Sequence, residues 1–454
     1  MAQFSFNLNP RKVKKIFTYN RVIKTKIPVP NSLNIIKKLK NLESSNAIQQ
    51  LPVIWDKAKG HSIFDPYGNK WIDFTSSIFV TNSGHGNKKI INEIKKYLKK
   101  PLLHSYYYPT KIRQEFLEKL LSISPKYLDK AILLSAGTEA TERALKIARI
   151  YGKANKKKYI IGWTGNYHGK TLNSQMLSGQ FNDHNWIDSF DETILHLPFP
   201  YPWLLDKNNT NGKKLFLKHI KNLKKNINLN SISAFFLESF QGWGAIFYPK
   251  DYVKELEKFA KKNKILLVFD EIQAGFYRTG KLFAFQHYNV KPDLVICGKG
   301  ISGSIPLSAV IGRSKYINLD SSYTSTHGGN PLACAAGLGN LKNFDNKKFF
   351  TSLRIKSKII KKRTEKWKIK FLNRVKIVLG KGLIWGVFIY DKNGKNLDPI
   401  ITNKICERAM EKGVFSICTG RGTLKLGPPL SITNSALIEG LNVYEECIKE
   451  ILEK

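Results

Sequence analysis

Cysteine is scarce in this chain: 454 residues carry five, Cys297, Cys334, Cys406, Cys418 and Cys447, with no CxxC pair among them. That excludes a disulfide-stapled scaffold and a cysteine-rich metal site, and it points to reduced thiols. Acid is scarce as well. Thirty-four Asp and Glu stand against 75 Lys and Arg, a formal charge of +41. Such an excess attracts polyanions, yet 63 of the cations are Lys, scattered as KK and KKK, with no stacking pattern of Arg and aromatics. No specific nucleic-acid partner is therefore expected. Apolar runs long enough to cross a bilayer are missing too, so no membrane role is expected. The first 42 residues hold ten Lys or Arg and no acid. Lys dominates there and no secretory apolar stretch follows, which favours a cytoplasmic protein, with an organellar targeting segment as the alternative.

What is present is a chain that can bury a full core, 42% hydrophobic and long enough for two domains. The segment Pro28 to Asn46 has helical spacing after a Pro-rich lead. Pro52 to Phe74 alternates around Asp65-Pro66-Tyr67-Gly68 and predicts a β-hairpin. Helices are expected over Asn87 to Lys99 and Gln114 to Leu121. The organising stretch is ILLVFDEIQAGFYRTGKLFAFQHYNVKPDLVICGKG, Ile265 to Gly300. Two short apolar runs read as neighbouring buried strands of an α/β sheet, and both deliver their C-terminal ends to one edge. One end carries Asp270, the other Lys299 between two glycines. A lysine so placed lets a small carbonyl compound approach its amine and form an imine. An Asp at a strand end can hold a proton on a heteroaromatic nitrogen and make that ring an electron sink. Together they suggest pyridoxal 5'-phosphate.

Four further stretches lead to the same edge. In AILLSAGTEATERALKIARIYG a strand breaks at Gly137, and a helix opens at Thr138 whose free N–H groups suit a phosphate monoester. KYIIGWTGNYHGKT delivers Tyr167 and His168, and the Tyr ring can lie flat on a cofactor ring. ISAFFLESFQGWG delivers Glu238 and Gln241, and the amphipathic segment after it predicts a crossover helix and parallel pairing. Thr326 precedes a Gly-Gly-Asn-Pro turn, where a hydroxyl can bind phosphate or cap the next helix. Singly, each motif has an ordinary reading as a loop lysine, a helix cap or a turn.

In this order the five strand ends resemble the class III pyridoxal-phosphate aminotransferases of fold type I, the group of the 4-aminobutyrate, ornithine and acetylornithine enzymes. The resemblance runs from Ile27-Pro28 to Pro428-Pro429-Leu430. It implies an α/β fold with a large domain on a mostly parallel seven-stranded sheet and a smaller α/β domain. The expected division is an arm over 1–50, a cofactor-binding domain over 51–342 that includes the hairpin 51–75, and a small domain over 343–454. It also implies an internal aldimine on Lys299, Asp270 at the pyridinium nitrogen, Gln273 near the ring hydroxyl, and Tyr167 on the ring with His168 beside it. Gly137 and Thr138 would hold the phosphate. Glu238 would stand at the edge of the site, and Thr326 would reach the phosphate of a neighbouring subunit in a homodimer.

The implied activity is ping-pong transfer of an amino group from an ω-amine or amino-acid donor to a keto acid. Specificity positions depart from the family pattern. Trp243 and Lys425 replace the Glu and Arg that pair in the 4-aminobutyrate and ornithine members, Lys170 replaces an Arg, and Ser239 replaces a Pro. Lys lacks the bidentate fork of Arg. Ile78, Lys170, Gln241, Trp243 and Lys425 are the substrate-side candidates, and no metal is expected. The alternatives are a lyase, decarboxylase, racemase or aminomutase with the same cofactor, and, from another class, a polyanion-binding protein.

Overall fold

The computed structural model describes residues 6–44, 50–207 and 210–453. They form two compact units, one from the chain up to Asn87 together with 243–245 and 347 onward, the other from Lys88–Gly242 and Ile246–Asn346.

The second unit is built on seven strands: β1 (Lys130–Leu134), β2 (Tyr159–Trp163), β3 (Ile194–Leu197), β4 (Ile232–Glu238), β5 (Leu266–Asp270), β6 (Leu294–Cys297) and β7 (Ser308–Gly312). Their order is β1-β7-β6-β5-β4-β2-β3. Pairing is parallel except around β7, which runs antiparallel to β6 and β1. β4, β5 and β6 are buried along their whole length, as sheets covered on both faces require, and their sequences are accordingly unbroken apolar runs. Register sets Asp270 beside Glu238 and beside Ile296, so both acids end their strands on one edge.

Helix α1 (Gly137–Ala154) follows β1 and buries Ala140, Ala144, Leu145 and Ala148 against the sheet, with Tyr151 half-buried at the margin. Small residues at this spacing let the helix lie close to the strands. Helix α2 (Lys250–Lys262) connects β4 to β5 and buries Tyr252, Val253, Leu256 and Ala260. The Ala-rich α3 (Pro331–Leu341) starts at Asn330, whose side chain accepts from the N–H of Leu332 at 2.9 Å. The expected helices after Asn87 and around Gln114 are Lys88–Leu98 and Lys111–Ile123.

In the first unit the hairpin forms as its turn residues predict: Ser62–Phe64 pairs antiparallel with Lys70–Asp73. The Asp65 carboxylate closes the turn by accepting from the N–H groups of Tyr67 and Asn69 at 3.0 and 2.8 Å. Its strands join Val22–Ile23 on one side and, in parallel, Val414–Phe415. The segment 51–75, placed by sequence in the large domain, thus hydrogen-bonds with the arm and the C-terminal part of the chain. A terminal strand needs partners, and these are the neighbours with matching apolar faces: Ile23, Ile63, Trp71, Met410 and Phe415 share one core. A second sheet orders Val375–Lys381, Ile384–Ile389, Thr423–Leu426 and Ile417–Cys418, all antiparallel. The arm helix is Leu33–Leu42; the last residues assigned to it by sequence, Ser45 and Asn46, lie outside the described residues.

The turn after the hairpin is unusual. Ser76, Ser77, Ile78 and Phe79 all have positive φ, between 49° and 71°, with no glycine among them. A left-handed conformation costs an L-residue roughly 1–2 kcal/mol. Here it is held by Asp73, which accepts from the N–H groups of Thr75 and Ser76, and by Ser76 Oγ, which donates to the carbonyl of Gly427 at 2.7 Å.

Candidate active site

The C-terminal edge of β4, β5 and β6 opens into a cavity of about 290 Å3 lined by Gly137, Thr138, Tyr167, His168, Glu238 and Asp270, with Gln273, Lys170 and Lys299 completing the wall. Nine of the residues singled out in the sequence therefore come together. Lys299 follows β6 through Gly298 and sits at φ 42°, a conformation that a non-glycine residue adopts only where its surroundings enforce it. Removal from water lowers the pKa of its amine, while Asp270 and Glu238 pull it back up.

Each acid has fixed partners. Asp270 Oδ2 lies 2.8 Å from His168 Nδ1, and its Oδ1 accepts from the N–H of Ile272 at 2.9 Å. His168 is itself pinned: its N–H donates to Ser178 Oγ at 2.7 Å and its carbonyl accepts from Thr141 Oγ1 of α1 at 2.9 Å. Among the described residues its buried Nε2 has no hydrogen-bond partner. Glu238 Oε2 accepts from the N–H of Tyr167 at 2.9 Å and so fixes the aromatic wall. Burial, then the charges of Glu238 and Asp270, raise the pKa of the Tyr167 phenol.

The start of α1 is arranged for an anion. Glu139 turns back to accept from the N–H of Ser135 at 2.9 Å, and the first intrahelical bond runs from Ala140 N to Ala136 O. The N–H groups of Gly137 and Thr138 precede that bond and face the cavity end of the helix. Thr138 Oγ1 belongs to a cluster with Thr171 Oγ1 and Ser174 Oγ, each at 2.8 Å, and Thr171 Oγ1 donates to Glu142 at 2.5 Å. Gly169, at φ 146°, runs so close that a Cβ there would overlap Thr138 and Ser174.

Five predicted residues do not line this cavity: two belong to the same unit and three to the other one. Gln241, expected as a substrate contact, does not line the cavity. It is fully buried, its amide donates to the carbonyl of Thr164 at 2.6 Å and to Asn166 Oδ1 at 3.3 Å, and its Oε1 accepts from the Tyr201 hydroxyl at 3.1 Å. A buried amide needs such partners, so this side chain holds the loop after β4. Ile78, Trp243 and Lys425 lie in the first unit. Lys425 is buried with Nζ 4.6 Å from the Phe79 ring centroid, and Trp243 meets Phe388 edge-on at 5.6 Å and carries the Arg421 guanidinium over its face at 5.6 Å. Thr326 is exposed, and its carbonyl lies 2.9 Å from His104 Nε2.

Sequence reasoning missed Glu271. This carboxyl is fully buried beside Asp270, accepts from the N–H groups of Ala284 and Phe285 at 2.8 and 2.7 Å, and accepts from Ser239 Oγ. Burial pushes it up to about 7 against those hydrogen bonds. Ser239, noted in the sequence only as a replacement for Pro, is therefore the donor that a proline could not supply.

A half-buried amine of lowered pKa, an acid fixed by a histidine, an aromatic wall and a helix start with free N–H groups suit an aldehyde, a ring nitrogen, a flat ring and a phosphate. The residues fit pyridoxal phosphate. The aminotransferase class-III family model matches residues 44–448. The chain is 30% identical over 442 residues to the 4-aminobutyrate aminotransferase of Mycobacterium leprae, covering 94% of this chain and 98% of that one. It is 29% identical to the alanine/serine racemase of Pyrococcus horikoshii over 100% of this chain and 98% of that one. Among solved structures, the ornithine aminotransferase of Toxoplasma gondii superposes with a TM-score of 0.80 at 25% identity, covering 93% and 96% of the two chains. This chain belongs to the class-III aminotransferases. It has their fold-type-I architecture and uses their cofactor, pyridoxal phosphate.

Proposed function

We propose that this aminotransferase moves an amino group between an amino-acid or ω-amine donor and a keto acid at the edge of β4–β6, with Lys299 as the residue joined to the cofactor. The observation that carries this assignment is the convergence of Lys299, Asp270, His168 and Tyr167 on one cavity behind the start of α1. When bound, pyridoxal phosphate supplies an electron sink for charge released at the substrate Cα.

The chain's own groups do the rest. Gly137 and Thr138 hold the phosphate with N–H groups and a hydroxyl. Tyr167 would cover one face of the ring, and Glu238 keeps the Tyr167 backbone in place. Asp270 holds a proton at the ring nitrogen, and His168 keeps the Asp270 carboxylate from turning. Gln273 serves the ring hydroxyl. Lys299, whose desolvated amine is more readily neutral than an exposed one, would accept and return the proton of the substrate Cα. Lys425 and Lys170 are proposed to attract the carboxylate of the acceptor, and Ile78 and Trp243 to shape the donor side. By the same resemblance we propose a cytoplasmic homodimer to which Thr326 contributes across the subunit boundary.

Borohydride reduction of the holoenzyme followed by peptide mass spectrometry tests the central assignment: the cofactor adduct is expected on Lys299, and an adduct on another lysine refutes it. A second reading, racemisation with the same cofactor, is favoured by the full-length similarity to the racemase. Incubating a single chiral amino acid without any keto acid separates the two, since only a racemase scrambles it catalytically.

A further inference from the structure

The same sheet has a second cavity at its other edge. It measures about 560 Å3 and is lined by Ile265 and Leu267 at the start of β5, by Lys291 and Asp293 just before β6, and by Arg313 and Lys315 just after β7. The end of α2 adds Glu257, Lys261 and Lys264, and α1 adds Tyr151. From Leu267 to Asp270 the strand rises about 10 Å, so this cavity and the cofactor cavity share β5 and open at opposite ends of it.

Its charge does not cancel. Five cations line it against two carboxylates, and both carboxylates are already engaged. Glu257 Oε1 accepts from Lys261 Nζ and from the N–H of Lys291, each at 2.8 Å. Asp293 accepts from the N–H of Leu267 at 3.0 Å and stands 3.4 Å from Arg313 Nε. Among the described residues, no carboxylate lies within 4.0 Å of Lys264, Lys291 or Lys315. Burial also pushes the Asp293 carboxyl up, against the Leu267 hydrogen bond and the pull of Arg313, Lys315 and Lys261.

Three of the five cations lie over aromatic rings. Arg313 and Lys291 lie over the Tyr127 ring at 5.3 and 6.0 Å, and Lys315 lies over Tyr316 at 4.7 Å. Tyr316 in turn meets Tyr151 edge-on at 5.7 Å. A cation over an aromatic face keeps its full charge and its N–H donors available. The volume is that of a small-molecule pocket, well beyond one phosphate, and the wall mixes ammonium groups with ring and aliphatic surface.

We propose that this cavity is a binding site for a small anion bearing clustered phosphate groups, separate from the substrates of the cofactor site. The test is isothermal titration of the pyridoxal-phosphate-saturated holoenzyme at about physiological salt with ATP and, in a second arm, inorganic pyrophosphate. Saturation keeps the phosphate position at α1 filled. Binding of either probe is expected, and tighter binding of ATP would assign the Tyr151 and Tyr316 surface to its base. In Lys291→Glu/Lys315→Glu the dissociation constant should rise at least tenfold. In Lys361→Glu/Lys362→Glu, an equal charge change at two exposed positions of the helix Lys347–Lys370, it should change less than twofold. Lys264→Gln/Lys315→Gln gives a milder version should the reversal misfold, and should weaken binding at least threefold. No heat with either probe, or equal weakening in the cavity and control variants, overturns the proposal.

Discussion

The two edges of the seven-stranded sheet handle charge in opposite ways. At the edge where β4, β5 and β6 end, the acids have named partners: Asp270 has His168 and the Ile272 amide, Glu238 has the Tyr167 amide, and Glu271 has Ser239 and two amides. At the edge where β5 and β6 begin, Lys264, Lys291 and Lys315 have no carboxylate within 4.0 Å among the described residues. A group that must hold a proton at a set atom needs its orientation fixed by neighbours. A group that only attracts an anion does not. The first edge is built for chemistry, the second for attraction.

Breaking the first edge should have the largest effect. Lys299→Ala removes the proposed proton carrier, and turnover should fall by about 10^4 or more, read as product formed with a saturating donor and acceptor. Near-normal turnover would mean that another amine does this work. Asp270→Asn keeps the shape but not the charge, and turnover should fall by about 10^2 or more while cofactor remains bound, checked by absorbance after desalting.

A smaller effect sharpens the contrast through pH. The Glu271 carboxyl sits above its ordinary value, so between about 4.5 and about 7 the folded protein holds a proton that the unfolded chain has released. Stability therefore falls as pH rises through that window. Glu271→Gln should flatten this fall, by an amount on the order of 3 kcal/mol at full amplitude. Thermal melts of both proteins from pH 5 to 8 give the difference, and parallel curves would show that the carboxyl titrates elsewhere. Smallest of all, Lys291→Glu/Lys315→Glu should change turnover by less than about twofold, because no residue lines both cavities. A large loss would join the two edges.

The first edge was legible because its chemistry is confined to strand ends, and each end is announced by an apolar run stopping at Gly, Asp or Lys. The order of the five motifs carried the family and the α/β fold with its mostly parallel sheet. The partners of Gln241 were not legible, because a polar residue at a strand end has two ways to turn, and only the positions of Thr164, Asn166 and Tyr201 show which one it takes. Glu271 stayed hidden because its donors, Ser239, Ala284 and Phe285, are far from it in sequence. The basic cavity could not be found by reading at all. Its lysines come from α2, the loop before β6 and the turn after β7, and among 63 lysines none stands out.

The left-handed run from Ser76 to Phe79 reverses an everyday rule of protein engineering. Elsewhere glycine loosens a chain, whereas at the exposed Ile78 it would relax a backbone that an isoleucine side chain opposes. Four consecutive such positions are, in effect, a short mirror-image helix. It is the place in this molecule where residues of D configuration would be more at home than the natural ones.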